Sequence, residues 1–174
     1  SIGLTNLKDS LFERLYRNCT ATVHRSYDML CRQGRMHPEV ALFANRAFYG
    51  GRLIPVGLPH QIESSDAICR LAFYPSVPEK VGASAKINYS EARIVAGLAV
   101  RIYEDHQTDF DEARTLGIIT PYRSQIALIK KEIESLGIPV LNRILVDTVE
   151  RFQGSERDVI IYSFCVNYPY QLKF

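Results

Sequence analysis

The 174-residue sequence has no tryptophan, and its four cysteines lie far apart, with no CxxC pair and no histidine at zinc-ligand spacing. Scattered cysteines of this kind are typical of core thiols in a reducing compartment, so the sequence predicts no metal site. No apolar run approaches the roughly 20 residues that a membrane span needs, and no signal-peptide pattern opens the chain. We therefore expect an intracellular, cytoplasmic protein without membrane contact, with the nucleus as an alternative in a eukaryote.

A second absence concerns phosphate binding. The sequence contains no GxxxxGK[ST] segment, so the chain has no loop of its own that could cradle a triphosphate. Asp111 and Glu112 resemble the paired acids that hold magnesium in ATPases, but such acids follow an apolar strand, and the preceding EDHQTDF is polar. We predict that Asp111 and Glu112 lie in a solvated loop.

Composition is that of an ordinary globular protein. Apolar residues make up 47% of the sequence and charged residues 23%. A chain of this length usually folds around one sizeable core. The net charge of +2 neither requires nor excludes a nucleic-acid partner, because a basic groove can form on a balanced protein.

Capping patterns and helical periodicity predict four helices. Ser10 and Glu13 have the spacing of a capping box, which predicts a short helix over residues 11–17. A second helix covers residues 37–48 and ends at two glycines. A third begins after Asn88, and a fourth follows Pro121 and ends at Gly137. The apolar stripes of these last three helices are Val40, Phe43, Ala44, Ala47 and Phe48; Val95, Ala96, Ala99, Ile102 and Tyr103; and Ile126, Ile129, Ile133 and Leu136.

Apolar runs predict five strands, over residues 23–31, 68–74, 115–120, 143–149 and 158–166. The second of these interrupts a loop-rich segment over residues 54–85. Strands that alternate with amphipathic helices indicate an α/β fold with a doubly wound, mostly parallel sheet. Such sheets bind ligands at the carboxyl ends of their strands, which here means the segments after Thr120 and Val149.

Polar residues stand at three predicted ends of strands. Arg35, in RQGRMHP, could grip phosphate oxygens with its guanidinium group, and the amide of Gln33 could bind a base or phosphate. Ordinary solvation of Arg35 remains an alternative. In TPYRSQ, Thr120 could bind a nucleic-acid phosphate and Tyr122 a sugar or base, although Pro121 could simply start a helix and Tyr122 could simply pack.

The third segment, TVERFQGSERD, contains Thr148, Gln153, Gly154 and Glu156. A glycine lets the backbone approach a ligand closely, and a carboxylate can accept hydrogen bonds from ribose hydroxyls. A solvated charge cluster around Glu156 is the alternative. Each segment is a modest signal alone, and their order and spacing carry the weight.

Four segments together resemble the second RecA-like domain of superfamily I helicases: SLFERL, QGRMHPEVALFANRAFYGGRL, GIITPYRSQIALI and VDTVERFQGSERDVII. The nearest group contains the nonsense-mediated-decay RNA helicase and the replication helicase-nuclease. The resemblance runs from about residue 10 to residue 166. It implies that residues 1–20 end a segment that links from a first RecA-like domain, and that residues 21–174 form the second domain, truncated before its last motif.

The resemblance also implies roles for the polar residues. Gln33, Arg35, Gly154 and Glu156 would face the nucleotide, with Arg35 as the catalytic residue that reaches the γ-phosphate and Glu156 at the ribose. Nucleic acid would contact the remaining site residues, which are Thr120, Pro121, Tyr122, Thr148 and Gln153. The family often has an aromatic residue between the glutamine and the arginine, and this sequence has Gly34 there.

A motor function follows from the resemblance. The chain would form part of an ATP-dependent DNA or RNA helicase that binds single strands, and the missing first RecA-like domain would be its partner. ATP and Mg²⁺ would belong to the full-length enzyme, because this chain alone would hold neither and would be inactive. A non-enzymatic scaffold for nucleic acid or protein is the alternative. A small-molecule enzyme is disfavoured, because we find no nucleophile–base pair and no glycine-rich cofactor loop.

Overall fold

The computed structural model describes residues 10–21, 27–62, 70–78 and 84–172. They belong to two compact units, residues 1–72 and residues 73–174. Both units contain α-helices and parallel strands, which confirms the predicted α/β class. Within these ranges, no helix combines the length and the apolar character that crossing a membrane requires.

Where the structure describes it, the first unit contains three helices and a two-stranded parallel sheet. In chain order its elements are α1 (Leu11–Ala21), β1 (Arg32–Gln33), α2 (Pro38–Phe48), β2 (Ile54–Pro55) and α3 (Pro59–Ile62). The Ser10 hydroxyl accepts the N–H of Glu13 at 3.1 Å, so the predicted cap forms, and α1 runs one turn further than predicted. In the sheet, Gln33 lies opposite Pro55.

Two glycines reverse the chain after α2. Gly50 and Gly51 have φ of 58° and 77°, a region that side chains disfavour. The Asn45 side chain closes the reversal by binding both the N–H and the carbonyl of Leu53, at 2.8 and 3.1 Å. The predicted apolar stripe of α2 stays largely exposed, with Phe43 at 75%, and the buried residue of this helix is Ala41.

Two predicted strands are wrong where the structure describes them. Residues 27–31 and 70–74 form no strand, while residues 22–26, 68 and 69 lie outside the described residues. Apolar composition suggested both strands, yet Leu71 and Phe73 are 74% and 80% exposed. An apolar run that finds no covering layer has no packing energy to hold it extended.

The second unit is built on a three-stranded parallel sheet in the order β4-β3-β5. Its elements are α4 (Tyr89–Asp105), β3 (Leu116–Ile119), α5 (Arg123–Glu134), a 3-10 helix (Leu141–Arg143), β4 (Leu145–Asp147), α6 (Val149–Phe152), β5 (Val159–Tyr162) and a second 3-10 helix (Pro169–Leu172). Ile119, Asp147 and Tyr162 lie side by side at the last rung. All three strands therefore end at one edge of the sheet.

One face of this sheet forms the core with α4 and α5. Leu116, Ile118 and Val146 are buried there, each at 2% exposure or less. The helices contribute the residues that periodicity predicts, among them Val95, Ala96, Ala99, Ile129 and Ile133. Leu136 departs from the prediction, because it lies beyond the end of α5 and is 44% exposed. Each large buried side chain contributes roughly 1.5–3 kcal/mol, which makes this layer the main source of stability in the unit.

A chain of buried amides joins the loops around this core. The Asn88 side chain caps α4 by accepting the N–H of Glu91 at 2.7 Å and donates to the Asn167 side chain at 2.8 Å. Gln125, on α5, accepts the backbone N–H of Asn88 at 2.9 Å and donates to its carbonyl at 3.1 Å. Because each amide is nearly inaccessible to water, these bonds tie the start of α5 to the start of α4.

Candidate nucleotide and nucleic-acid site

The carboxyl edge of the three-stranded sheet brings two predicted segments together. Thr120 follows the last residue of β3 and Thr148 follows the last residue of β4, which are paired strands. The N–H of Thr120 donates to the carbonyl of Asp147 at 3.2 Å, so the ladder continues one residue past β3. Segments predicted from separate stretches of sequence therefore lie side by side.

The residues of the TPY segment differ in accessibility. Thr120 is fully buried, and its hydroxyl has no hydrogen-bond partner among the residues that the structure describes. A buried hydroxyl without a partner costs about 1–3 kcal/mol, which makes it an unusual feature of a folded chain. Pro121 is exposed, and Tyr122 is half-buried at the N-cap of α5, where its side chain caps nothing. Contact with a ligand remains a prediction for all three.

The TVERFQG segment forms a single helical turn followed by a reversal. Thr148 and the backbone N–H of Glu150 hold the pKa of the Glu150 carboxyl below its usual range, because the Thr148 hydroxyl donates to that exposed carboxylate. After α6 the exposed Gln153 leads into Gly154, whose φ of 84° suits a glycine. Glu156 follows it and is exposed.

The RQGRMHP segment of the first unit forms a bend between β1 and α2. The Gln33 side chain closes it by accepting the N–H groups of Arg35 and Met36, at 3.1 and 2.8 Å, and donating to the carbonyl of Met36 at 2.7 Å. The amide that we expected to face a ligand thus bonds within its own loop. Arg35 is exposed at the crest of the bend, as a residue that meets a ligand should be.

Gln61 also holds this bend, and no sequence signal marked it. Its side chain is 3% exposed, and its amide nitrogen donates to the carbonyls of Gln33 and Met36, both at 3.0 Å. These partners lie 28 and 25 residues away along the chain. Sequence patterns register spacings within one element, so a loop-to-loop bond of this length leaves no trace in them.

Packing around Gly34 matches the absence of an aromatic residue there. A Cβ atom at Gly34 would lie 3.3 Å from Leu58 Cδ1 and 3.4 Å from Val56 Cγ2. A side chain at this position would therefore require the end of the Leu58 side chain to move slightly.

Asp111 and Glu112 lie in a turn, as predicted. The Asp111 carboxylate accepts the N–H of Ala113 at 2.7 Å, and Glu112 pairs with Arg143 at 3.1 Å. Over the described ranges, the structure shows no group of three or more histidine, cysteine or acidic residues that could hold a metal ion.

Comparison with known proteins identifies the family. A family model described as an AAA domain matches residues 7–169, which is nearly the whole chain and includes most of both units. This chain belongs to that family, the C-terminal helicase domain of superfamily I helicases. The predicted resemblance and RecA-like fold are thereby confirmed.

Relatives of this helicase domain include three kinds of larger protein. A "Probable helicase" of Dictyostelium discoideum is 33% identical over 169 residues, covering 92% of this chain and 16% of the relative. The DNA replication ATP-dependent helicase/nuclease DNA2 of Xenopus tropicalis is 30% identical, covering 91% of this chain and 17% of the relative. The regulator of nonsense transcripts 1 of Dictyostelium discoideum is 29% identical, covering 95% and 13%. The chain thus spans less than a fifth of the length of each of these three relatives.

The predicted site residues of the helicase domain fall into two groups. Gln33 and Arg35 lie in the first unit, on one bend. The others lie in the second unit. Thr120, Pro121, Tyr122 and Thr148 follow the carboxyl ends of β3 and β4. Gln153, Gly154 and Glu156 lie on the connection from α6 to β5, and the start of β5 pairs with the start of β3.

Proposed function

We propose that this chain works as the second motor domain of an ATP-dependent DNA or RNA helicase, within a longer polypeptide that also contains a first RecA-like domain. The observation that supports it best is the carboxyl edge of the three-stranded sheet, where the Thr120 and Thr148 segments meet. Ligands of parallel α/β sheets bind at such an edge. Helicase relatives favour a motor over a non-enzymatic scaffold.

In this proposal ATP binds between the two RecA-like domains. Arg35 supplies a guanidinium that stabilises charge on the γ-phosphate as it is transferred, while Glu156 accepts hydrogen bonds from the ribose. Gln33 shapes the bend that presents Arg35, and Gly154 lets the backbone approach the nucleotide. Mg²⁺ would be held by the first RecA-like domain and the phosphates. Exposure of both Arg35 and Glu156 fits groups that meet a ligand.

In the same proposal, single-stranded DNA or RNA binds to residues of the second unit. Pro121 and Tyr122 offer an apolar surface for a base or sugar, and Thr148 and Gln153 offer hydrogen bonds to the nucleic-acid backbone. Thr120 is buried, so its hydroxyl would contribute a further hydrogen bond only after domain closure made it accessible. One relative carries DNA replication in its name and another nonsense transcripts, so both nucleic acids remain in the proposal. Closure of the two domains around ATP would move the strand along this surface.

The experiment compares Arg35→Ala with Arg46→Ala in the full-length protein. Both arginines are exposed and belong to the first unit, but Arg46 lies on α2, away from the bend. We expect Arg35→Ala to lower kcat for strand-stimulated ATP hydrolysis by about 10³-fold, the scale of a transition-state arginine, and to change ATP affinity much less. Arg46→Ala should keep the parent rate. An unchanged kcat for Arg35→Ala would refute the proposed catalytic role.

A further inference from the structure

The amide of Gln61 satisfies four backbone groups in two directions. Its oxygen accepts the N–H groups of Gly57 and Leu58, each at 3.2 Å, within its own segment. Its nitrogen donates to the carbonyls of Gln33 and Met36, each at 3.0 Å, on the bend that carries Arg35. One buried side chain on α3 therefore binds a bend whose residues precede it by at least 25 positions in the sequence.

The two acceptors on the bend flank Arg35 on either side. Gln33 precedes Arg35 by two residues and Met36 follows it directly, so their carbonyls mark the two ends of the bend. The Gln33 side chain binds the backbone N–H of Arg35 from inside the same bend. The backbone at Arg35 is consequently held between two amide side chains, while the Arg35 residue as a whole is exposed.

Gln61 lies on α3, which has only four residues. Burying its amide is costly unless both the oxygen and the nitrogen find hydrogen-bond partners, whereas an apolar side chain could fill the same space without that cost. The choice of an amide therefore requires an explanation. The four bonds provide one. A guanidinium that stabilises a transition state must be held to within a fraction of an ångström, and a misplacement of about 1 Å can reduce the rate about 10²-fold.

We propose that Gln61 is a positioning residue for Arg35: its amide nitrogen fixes the bend so that the guanidinium meets the transferring phosphate. The inference rests on the proposed function, in which Arg35 acts on the nucleotide. The Gln61 side chain is 3% exposed, so in this proposal it acts through the bend and not by contact with the nucleotide. Its removal should therefore reduce kcat through Arg35 and leave the KM for ATP and the affinity for single strands nearly unchanged.

A matched control exists in the second unit. Gln171 bonds in the same pattern: its oxygen accepts two backbone N–H groups, from Asn167 and Tyr168, and its nitrogen donates to two carbonyls, of Ala85 and Cys165. Gln171→Met removes the same number of hydrogen bonds as Gln61→Met, but none of them holds the bend. A loss of activity caused by general destabilisation would affect both variants alike.

The test measures strand-stimulated ATP hydrolysis by the full-length protein for Gln61→Met, Gln171→Met, Arg35→Ala and the double variant of Gln61 and Arg35. We expect Gln61→Met to lower kcat by about 10- to 100-fold, and Gln171→Met by less than about twofold. The double variant should be at most about twofold slower than Arg35→Ala, because the effects of two residues do not add when one acts through the other.

The possible results distinguish a failure of the inference about Gln61 from a failure of the proposed function. If Arg35→Ala lowers kcat while Gln61→Met does not, or if the two losses multiply in the double variant, the positioning role is wrong and the proposed function stands. If Arg35→Ala has no effect, the catalytic assignment of Arg35 fails and the inference fails with it. Should Gln61→Met not fold, Gln61→Glu decides: its carboxylate can still accept the N–H groups of Gly57 and Leu58 but cannot donate to the carbonyls of Gln33 and Met36. We expect kcat to fall by about 10-fold or more in this variant, and an unchanged kcat would overturn the inference.

Discussion

At the scale of single residues, Tyr122 and Glu156 differ in how they are held. Tyr122 is half-buried, and its carbonyl accepts the first helical hydrogen bond of α5 from Ile126 at 3.0 Å. Glu156 is exposed and follows the left-handed Gly154. A partly accessible ring at a helix start suits stacking on a base, whereas a carboxylate beyond a glycine turn suits the hydroxyls of a ribose.

We predict opposite losses for the two alanine variants in the full-length protein. Tyr122→Ala should weaken single-strand binding by about 1–3 kcal/mol, the amount that one stacked base contributes, and leave nucleotide affinity unchanged. Glu156→Ala should weaken nucleotide binding, because the ribose loses a charged acceptor, and leave strand affinity unchanged. Two titrations per variant measure this: labelled oligonucleotide without nucleotide, and labelled nucleotide without oligonucleotide. Thermal melts must show both variants folded, and losses on the opposite ligands would reverse our assignment of the faces.

Single residues also show how much of the candidate site could be predicted from the sequence. Arg35 lies between a strand and a helix as its neighbours indicated, since β1 ends at Gln33 and α2 begins at Pro38, but the strand covers two residues that follow the predicted range of 23–31. The bonding of the Gln33 amide within its bend and the role of Gln61 could not be predicted, because both depend on how the backbone folds back on itself. The lack of a partner for the Thr120 hydroxyl among the described residues is equally a property of packing.

At the scale of elements, α6 and the turn after it lie against β3 where β3 has a glycine. A Cβ atom at Gly117 would lie 2.6 Å from Phe152 Cε1 and 3.0 Å from Arg157 Cγ. Phe152 is 7% exposed, and the Arg157 guanidinium lies over its ring at 5.8 Å from the centroid. The absence of a side chain at residue 117 thus allows α6, between Thr148 and Gln153, to approach the sheet.

We predict that Gly117→Ala destabilises the chain by about 1–3 kcal/mol, because the buried ring and the Arg157 stem must move to admit the methyl group. Gly97→Ala is the matched control. Gly97 lies on α4, and no described atom lies within 4 Å of the place that an added methyl group would take, so alanine should stabilise by roughly 0.5–1 kcal/mol through helix propensity. Urea unfolding measures both. Equal stability of Gly117→Ala and the parent would show that α6 does not pack as described.

Helices and strands could be predicted where the apolar periodicity and the capping residues agreed. The helix after Asn88 has an N-cap, an acid at its third residue and an apolar stripe, and its core residues are buried as expected. The strands over residues 115–120, 143–149 and 158–166 exist but are shorter, because only the paired residues stay extended. Residues 70–74 are apolar but have no capping residue and no clear periodicity. Apolar composition alone does not decide whether a segment pairs with another strand.

At the scale of the whole molecule, burial is unequal between the two units. Among the described residues, the first unit buries only Ala41 and Gln61, whereas the sheet and its two helices in the second unit contain the hydrophobic core. Arg35 therefore lies in a unit whose order depends more on hydrogen bonds than on apolar packing. Such regions open at low free energy, so the order of the bend at Arg35 depends on the side-chain hydrogen bonds of Gln33 and Gln61.

We predict that the isolated 174-residue chain shows no ATP hydrolysis above a blank, with or without single-stranded DNA or RNA. The sequence contains no GxxxxGK[ST] loop, so nothing in it cradles the β- and γ-phosphates, and Arg35 alone can stabilise transferred charge only on a nucleotide that another domain holds. The measurement is phosphate release at saturating ATP and Mg²⁺, with a melt to show that the chain is folded and Arg35→Ala as a control for contaminating ATPases. Strand-stimulated turnover that disappears in Arg35→Ala would mean that this chain hydrolyses ATP by itself, and the dependence on a first RecA-like domain would be wrong.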